Sequence, residues 1–223
     1  MNMENMSDKK NKIIKTIQGM SGKYSVYNIF EDWVKCMALA FANQVQFSQD
    51  REDDYIKTIG KYTKEEQQKM YEMTAWLVEW ADEEMTDMLG YLYMHLELGS
   101  KGHGQFFTPY HICQMMAQLQ KYDDIEHTAN EPTCGAGGNM IALAEAMKLQ
   151  GVNYQQKLSV VCQDLDIKAV YMAYVQMTLY GISAICFQSN TLSDPNGLES
   201  VTGNLYTFGY VMKPENRTNF CKN

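Results

Sequence analysis

Glu131-Pro132-Thr133-Cys134-Gly135-Ala136-Gly137-Gly138 joins a short extended piece to a helical pattern that starts at Asn139. This link constrains the fold more than any other stretch of the chain. Gly135, Gly137 and Gly138 lack a Cβ, so the backbone there can take positive φ and can approach a ligand closely. A strand entering such a turn and a helix leaving it open a βαβ unit. The pattern then continues. The helix from Asn139 to Gln150 is closed by Gly151, a strand follows at Leu158 to Cys162, a helix at Ile167 to Tyr180 is closed by Gly181, and another strand is expected at Ala184 to Gln188. Alternating elements with short links predict a parallel α/β sheet. Right-handed crossovers bring the glycine-rich turn to the carboxyl edge of the strands, where such sheets bind ligands.

Upstream of about residue 98 the period is helical throughout. Val26, Ile29, Phe30, Trp33, Met37 and Phe41 recur every three to four positions, which predicts a buried amphipathic helix from Ser25 to Val45. Thr63 followed by Glu66 reads as a capping box ahead of Met70, Met73, Leu77 and Trp80. A third helical pattern runs from Glu84 to Leu98 and stops at Gly99, a residue suited to a left-handed cap. After the glycine-rich connector 99–104, Thr108-Pro109 reads as a helix start, a capping hydroxyl followed by a proline whose missing amide is no loss. Beyond Thr191 a turn at Ser193 to Gly197 precedes one possible strand, Leu205 to Val211. The division expected is a flexible N-terminus at 1–22, a helical domain at 23–99 and a ligand-binding α/β domain at 100–223.

Composition narrows the function. The 223 residues carry a formal net charge of −8, so DNA binding by this chain unaided is disfavoured, because that affinity rests on lysine and arginine neutralising phosphates. The acidic run Asp50 to Asp54 reads as a solvated helix start. No apolar run has the roughly 18 residues of a membrane span, and the first fifteen residues are polar rather than signal-like, which predicts a cytoplasmic location with no membrane partner. Six cysteines, Cys36, Cys113, Cys134, Cys162, Cys186 and Cys221, have no Cys-x-x-Cys spacing, and His95, His103, His111 and His127 share no ligand spacing. No metal site is expected from them. Trp33, Trp76 and Trp80 fit helical core positions better than a base-stacking platform.

Three further stretches stand in a fixed order around the turn: Gly104-Gln105-Phe106-Phe107-Thr108-Pro109 before it, Gln163-Asp164-Leu165-Asp166 after the second strand, and Ser189-Asn190-Thr191-Leu192 after the third. With Glu131 to Gly138, this order resembles the adenine-N6 DNA methyltransferases, specifically the modification subunits of type I restriction-modification systems, from about Ser25 to Leu192. The resemblance implies a Rossmann-like S-adenosylmethionine-dependent methyltransferase sheet, here incomplete, behind an all-helical N-terminal region. It implies that Gln105, Phe106, Phe107, Thr108 and Pro109 lie against the methionine end of S-adenosylmethionine, and that Glu131, Thr133, Gly135 and Gly137 pass under its methionine and ribose. Asp164 then accepts from the ribose hydroxyls, Asp166 caps the next helix, and Asn190 stands near the adenine. Glu131 replaces the family's aspartate, Ala136 its serine, and Asn190 the aspartate of Gly-Asp-x-Leu, which keeps a hydrogen-bonding group and loses the charge.

The resemblance stops at the catalytic element. Relatives carry Asn/Asp-Pro-Pro-Tyr/Phe, whose oxygens accept the adenine amine hydrogens and whose ring stacks on the flipped base. This sequence has no Pro-Pro; its 4 prolines, Pro109, Pro132, Pro195 and Pro214, are isolated, and Val211-Met212-Lys213-Pro214 falls where the element is expected. No catalytic residue is therefore assigned. Three readings follow: a methyltransferase subunit whose protein partner supplies DNA recognition, a cofactor-binding but inactive relative acting as a regulatory subunit, and a truncated product whose sheet edge pairs with another chain.

Overall fold

A computed structural model describes residues 3–96, 98, 106–194 and 203–213. Five helices come first: α1 (Met3–Met20), α2 (Val26–Val45), α3 (Gln49–Ile59), α4 (Lys64–Glu83) and α5 (Met88–His95). After α6 (Tyr110–Gln118), strands and helices alternate as β1 (His127–Glu131), α7 (Gly138–Leu149), α8 (Tyr154–Lys157), β2 (Leu158–Asp164), α9 (Ile167–Leu179), β3 (Ser183–Gln188), β4 (Leu205–Tyr206) and α10 (Phe208–Met212). The sheet order is β1-β2-β3-β4, with β1, β2 and β3 parallel and β4 antiparallel to β3. This small, open, mixed sheet behind a helical region is an incomplete Rossmann-like arrangement.

Local chemistry sets the helix ends. Thr63 Oγ1 accepts from the Glu66 amide at 3.3 Å while a Glu66 carboxylate oxygen accepts from the Thr63 amide at 2.7 Å, the reciprocal box read from sequence. Ser25 caps α2 without a reciprocal partner, its hydroxyl accepting from the Asn28 amide at 3.1 Å. Asp166 caps α9 through the Lys168 amide at 3.0 Å. The acidic run does open α3, yet it is not wholly solvated, since Asp54 pairs with Lys35 at 2.8 Å and Glu52 accepts from Asn43 at 2.9 Å.

Four sequence expectations need correction. Most of the stretch expected to be a flexible N-terminus is α1, whose Ile13, Ile14, Ile17 and Met20 are buried against α4. Those four fall at helical spacing, and the basic flank hides them: Lys9 pairs with Glu83 at 2.5 Å and Lys10 lies 4.7 Å above the Trp80 ring. The third helix starts at Met88, not Glu84, because Asp87 caps it, accepting from the Gly90 amide at 2.9 Å. Thr108 is not the cap of α6; Pro109 holds that position with ψ at 132°, and no side chain caps it. The strand expected from Leu205 to Val211 lasts two residues. Thr207 ends it, its buried hydroxyl accepting from the Ala184 amide and donating to the Ile182 carbonyl, both at 2.8 Å, and α10 follows. The Gly99 cap, Gly104 and Pro214 lie outside the described residues.

One continuous cluster of buried residues runs from Ile13 to Leu205. Helix α9 is its centre. Ala169, Val170 and the whole run from Met172 to Met177 are buried because α2 covers one side and β2 and β3 the other, which is why the helix is apolar all round. Tyr180, just past its end, ties the link before α5 to this centre: its hydroxyl donates to the Thr86 carbonyl at 2.7 Å and accepts from the Thr86 amide at 3.0 Å.

Candidate functional site

The three parallel strands end together. Asp164 pairs in register with Gln188, and Glu131 with Cys162, so the turns that follow β1, β2 and β3 share one edge. The glycine-rich turn is locked there by backbone bonds from the Cys134 amide to the Gln163 carbonyl and from the Gly137 amide to the Cys134 carbonyl, each 2.8 Å. Gly135 has φ of +52° and Gly137 +95°, so both take the left-handed region that a side chain disfavours. Space excludes one as well. A Cβ on Gly135 would lie 2.8 Å from Phe107 Cδ1, which means the Phe107 ring rests on the turn.

Asp164 is fixed at this edge. One carboxylate oxygen accepts from the Gly135 amide and the other from the Asp166 amide, both at 2.9 Å. Each oxygen keeps a further lone pair. A cavity of about 370 Å³ opens beside it, within the roughly 300–1,000 Å³ range of cofactor sites. Phe106, Phe107, Thr108, Thr133, Gly135 and Asp164 line it, six of the residues the sequence singles out.

Of the others, Pro109, Gly137, Glu131 and Asn190 stand nearby without lining it. Pro109 belongs to an adjoining cleft of about 470 Å³, and Gly137 is turned to Met177 and Ala173 under the turn. Glu131 accepts from Asn139 Nδ2 at 2.9 Å, tying the end of β1 to the first turn of α7. Asn190 spends its side-chain oxygen on the Leu192 amide at 3.1 Å, while Thr191 beside it bonds the Pro132 carbonyl and so lays this loop against the turn. Gln105 lies outside the described residues.

Sequence reasoning missed Asp87, Cys113 and Asn139, which also line the cavity. Asp87 is buried, and its Oδ1 accepts both the Gly90 amide at 2.9 Å and Gln176 Nε2 at 2.7 Å. Burial pushes its carboxyl above the ordinary range, with the bonds from Gln176 and Gly90 pulling the other way. The signal was legible, an aspartate before an apolar run with a glycine three residues on, but the helical pattern extended from Glu84 obscured it. Cys113 is buried, and burial, then the Asp87 charge, pushes its thiol up to about 11. Asn139 Oδ1 is buried and accepts no hydrogen bond. That orphaned acceptor and the bare glycine cradle fit a ligand bearing hydrogen-bond donors.

Val211-Met212-Lys213, the described part of the stretch that falls where relatives carry the missing Pro-Pro element, stands away from the cavity. Lys213 is buried and donates to Ser159 Oγ at 2.7 Å, at the amino end of β2, whereas Asp164 and the cavity are at its carboxyl end. Among the described residues no group of histidine, cysteine and acid side chains is placed to hold a metal, and no helix is long and apolar enough to cross a membrane.

Parallel strands whose carboxyl edge carries a glycine-rich turn, a strand-end aspartate and a cavity define an incomplete Rossmann-like protein. The chain belongs to the N-6 DNA Methylase family, whose sequence profile matches residues 81–214. No curated protein matches it in sequence. Among solved structures it is similar to the type I restriction-modification system methyltransferase subunit from Streptococcus thermophilus, with 13% identity and a TM-score of 0.41. That match covers 90% of this chain and 61% of the other, so the chain spans less than two thirds of that subunit's length.

Proposed function

We propose that the chain binds S-adenosylmethionine in the cavity at the glycine-rich turn and serves adenine-N6 DNA methylation as a subunit of a restriction-modification type system. The observation that carries this is the Asp164 carboxylate, fixed by two backbone amides at 2.9 Å with lone pairs left for a ribose diol, on the turn against which Phe107 packs. Phe106, Phe107 and Thr108 would take the methionine end, and Thr133 and Gly135 would pass beneath the ribose. The cofactor when bound supplies an electrophilic methyl group on a sulfonium. Family membership supports the reading, and the net charge of −8 argues that a basic partner chain supplies most of the contact with DNA.

Calorimetric titration with S-adenosylmethionine tests it. Wild-type protein should release heat with a saturating isotherm, and Asp164→Ala should abolish or greatly weaken it. Equal isotherms, or none from either protein, would overturn the proposal.

A second reading, a cofactor-binding subunit without turnover of its own, is favoured by Lys213 standing at the opposite sheet edge and by the missing Pro-Pro element. Without placed acceptors for the amine hydrogens, methyl transfer loses its main electrostatic help. Expression in a methylation-free host followed by mapping of N6-methyladenine decides between them. Sequence-specific modification sinks the second reading.

A further inference from the structure

Two acids, Asp87 and Asp164, line the cavity, and among the described residues no lysine, arginine or histidine does. A cationic group on a ligand meets carboxylates there and no like charge from these residues. We propose that Asp87, contributed from the cap of α5, is a binding residue of this cavity and receives the α-ammonium of the amino-acid end of S-adenosylmethionine, an inference that rests on the cofactor reading above.

The geometry separates two carboxylates along the turn. Asp164 bonds the Gly135 amide at 2.9 Å, while a Cβ placed on Gly138 would meet Asp87 Oδ2 at 3.2 Å. Asp164 thus marks one end of the turn and Asp87 the other. Asn139, next after Gly138, also lines the cavity, and its Oδ1 is buried without a hydrogen-bond partner. A primary ammonium carries three donors and no acceptor, so it suits a buried carboxylate that lines the cavity beside the turn.

Asp87 is also held in place rather than left to find its position. Gln176 Nε2 and the Gly90 amide both bond Oδ1, and Gly90 must be glycine, since a Cβ there would fall 2.0 Å from Oδ2. A carboxyl buried this deeply resists ionisation, so a cation delivered by the ligand completes what two neutral donors cannot.

The test is a double cycle of binding, which needs no turnover: wild type and Asp87→Asn against S-adenosylhomocysteine and its analogue lacking the α-amino group. Asparagine is a good helix cap, so the fold should persist; if thermal unfolding shows otherwise, Asp87→Ser takes its place. Wild type should bind the deaminated analogue roughly 10- to 100-fold more weakly, the loss expected for a buried hydrogen bond to a charged group. The Asp87→Asn protein should bind the two ligands alike, and at the weaker level. If it keeps the full preference for the amino compound, Asp87 is only a structural cap and the proposal fails. Wild type that binds the two ligands equally also refutes it, leaving the cofactor reading intact. Wild type that binds neither S-adenosylmethionine nor these thioethers brings down the cofactor reading itself.

Discussion

Replacing Gln176 with leucine should destabilise the protein far more than its near-equal size suggests. Its amide is fully buried and makes three bonds: Oε1 accepts from the Leu89 amide at 3.1 Å, and Nε2 donates to Asp87 Oδ1 at 2.7 Å and to the Ala136 carbonyl at 2.8 Å. Leucine fills the space but strands the Leu89 amide and the Ala136 carbonyl away from water and leaves Asp87 Oδ1 with the Gly90 amide. Each stranded buried group costs about 1–3 kcal/mol, and weakening a carboxylate contact adds to that, so the total is about 3–5 kcal/mol. For a chain of this size that is a fall in Tm of roughly 6–20 °C. Urea titration measures it directly, as a lowered midpoint at unchanged slope. Gln68→Leu is the control, because the Gln68 amide only reaches Glu72 on an exposed face, and it should change stability by less than about 0.5 kcal/mol. If Gln176→Leu matches that control, the amide is not the bridge described and the reasoning is wrong.

Thr63→Ala removes the capping box of α4 and should cost about 1 kcal/mol, read as a Tm lowered by roughly 2–4 °C; no change would mean the box is redundant. Gly151→Ala should cost about 1–2 kcal/mol from left-handed strain alone, since φ is +82° with open space around it. Gly137→Ala adds contact, its Cβ falling 3.0 Å from Met177 Cε, so denaturant titration should show a further loss of about 1 kcal/mol or more. High pH should unfold the protein. Burial pushes the Cys36 thiol up from 9.0 to about 12 and Tyr171 from 10.0 to about 12, so the folded chain holds protons that the unfolded chain releases. The stability they contribute is complete below about pH 9 and is lost as pH rises toward about 12; a urea midpoint that stays flat across this range contradicts it.

Periodicity and punctuation made much of the fold legible. The box at Thr63, the glycines closing α7 and α9 and the alternation from β1 to β3 each depend on residues adjacent in sequence, which is what a local reading can see. What escaped was set by distant partners. α1 looked frayed because its buried isoleucines are masked by lysines that find acids on α4, and β4 ended early because Thr207 bonds β3. The candidate site divides in the same way. Phe107, Gly135 and Asp164 carry recognisable neighbours, whereas for Asp87 the sequence offers only its cap pattern, and its bond to Gln176, 89 residues away, leaves no local trace.

The bridge through Gln176 also makes the cavity's occupancy a property of the whole molecule. Its amide joins α5, α9 and the glycine-rich turn, and α9 is packed on α2, so little can loosen without disturbing the rest. Melting should then be a single cooperative event in which helices and sheet part together. A ligand seated at the turn raises that event for every element at once, by about 2.7 kcal/mol at a hundredfold excess over Kd. Thermal stability thus becomes a gauge of ligand binding that needs no turnover.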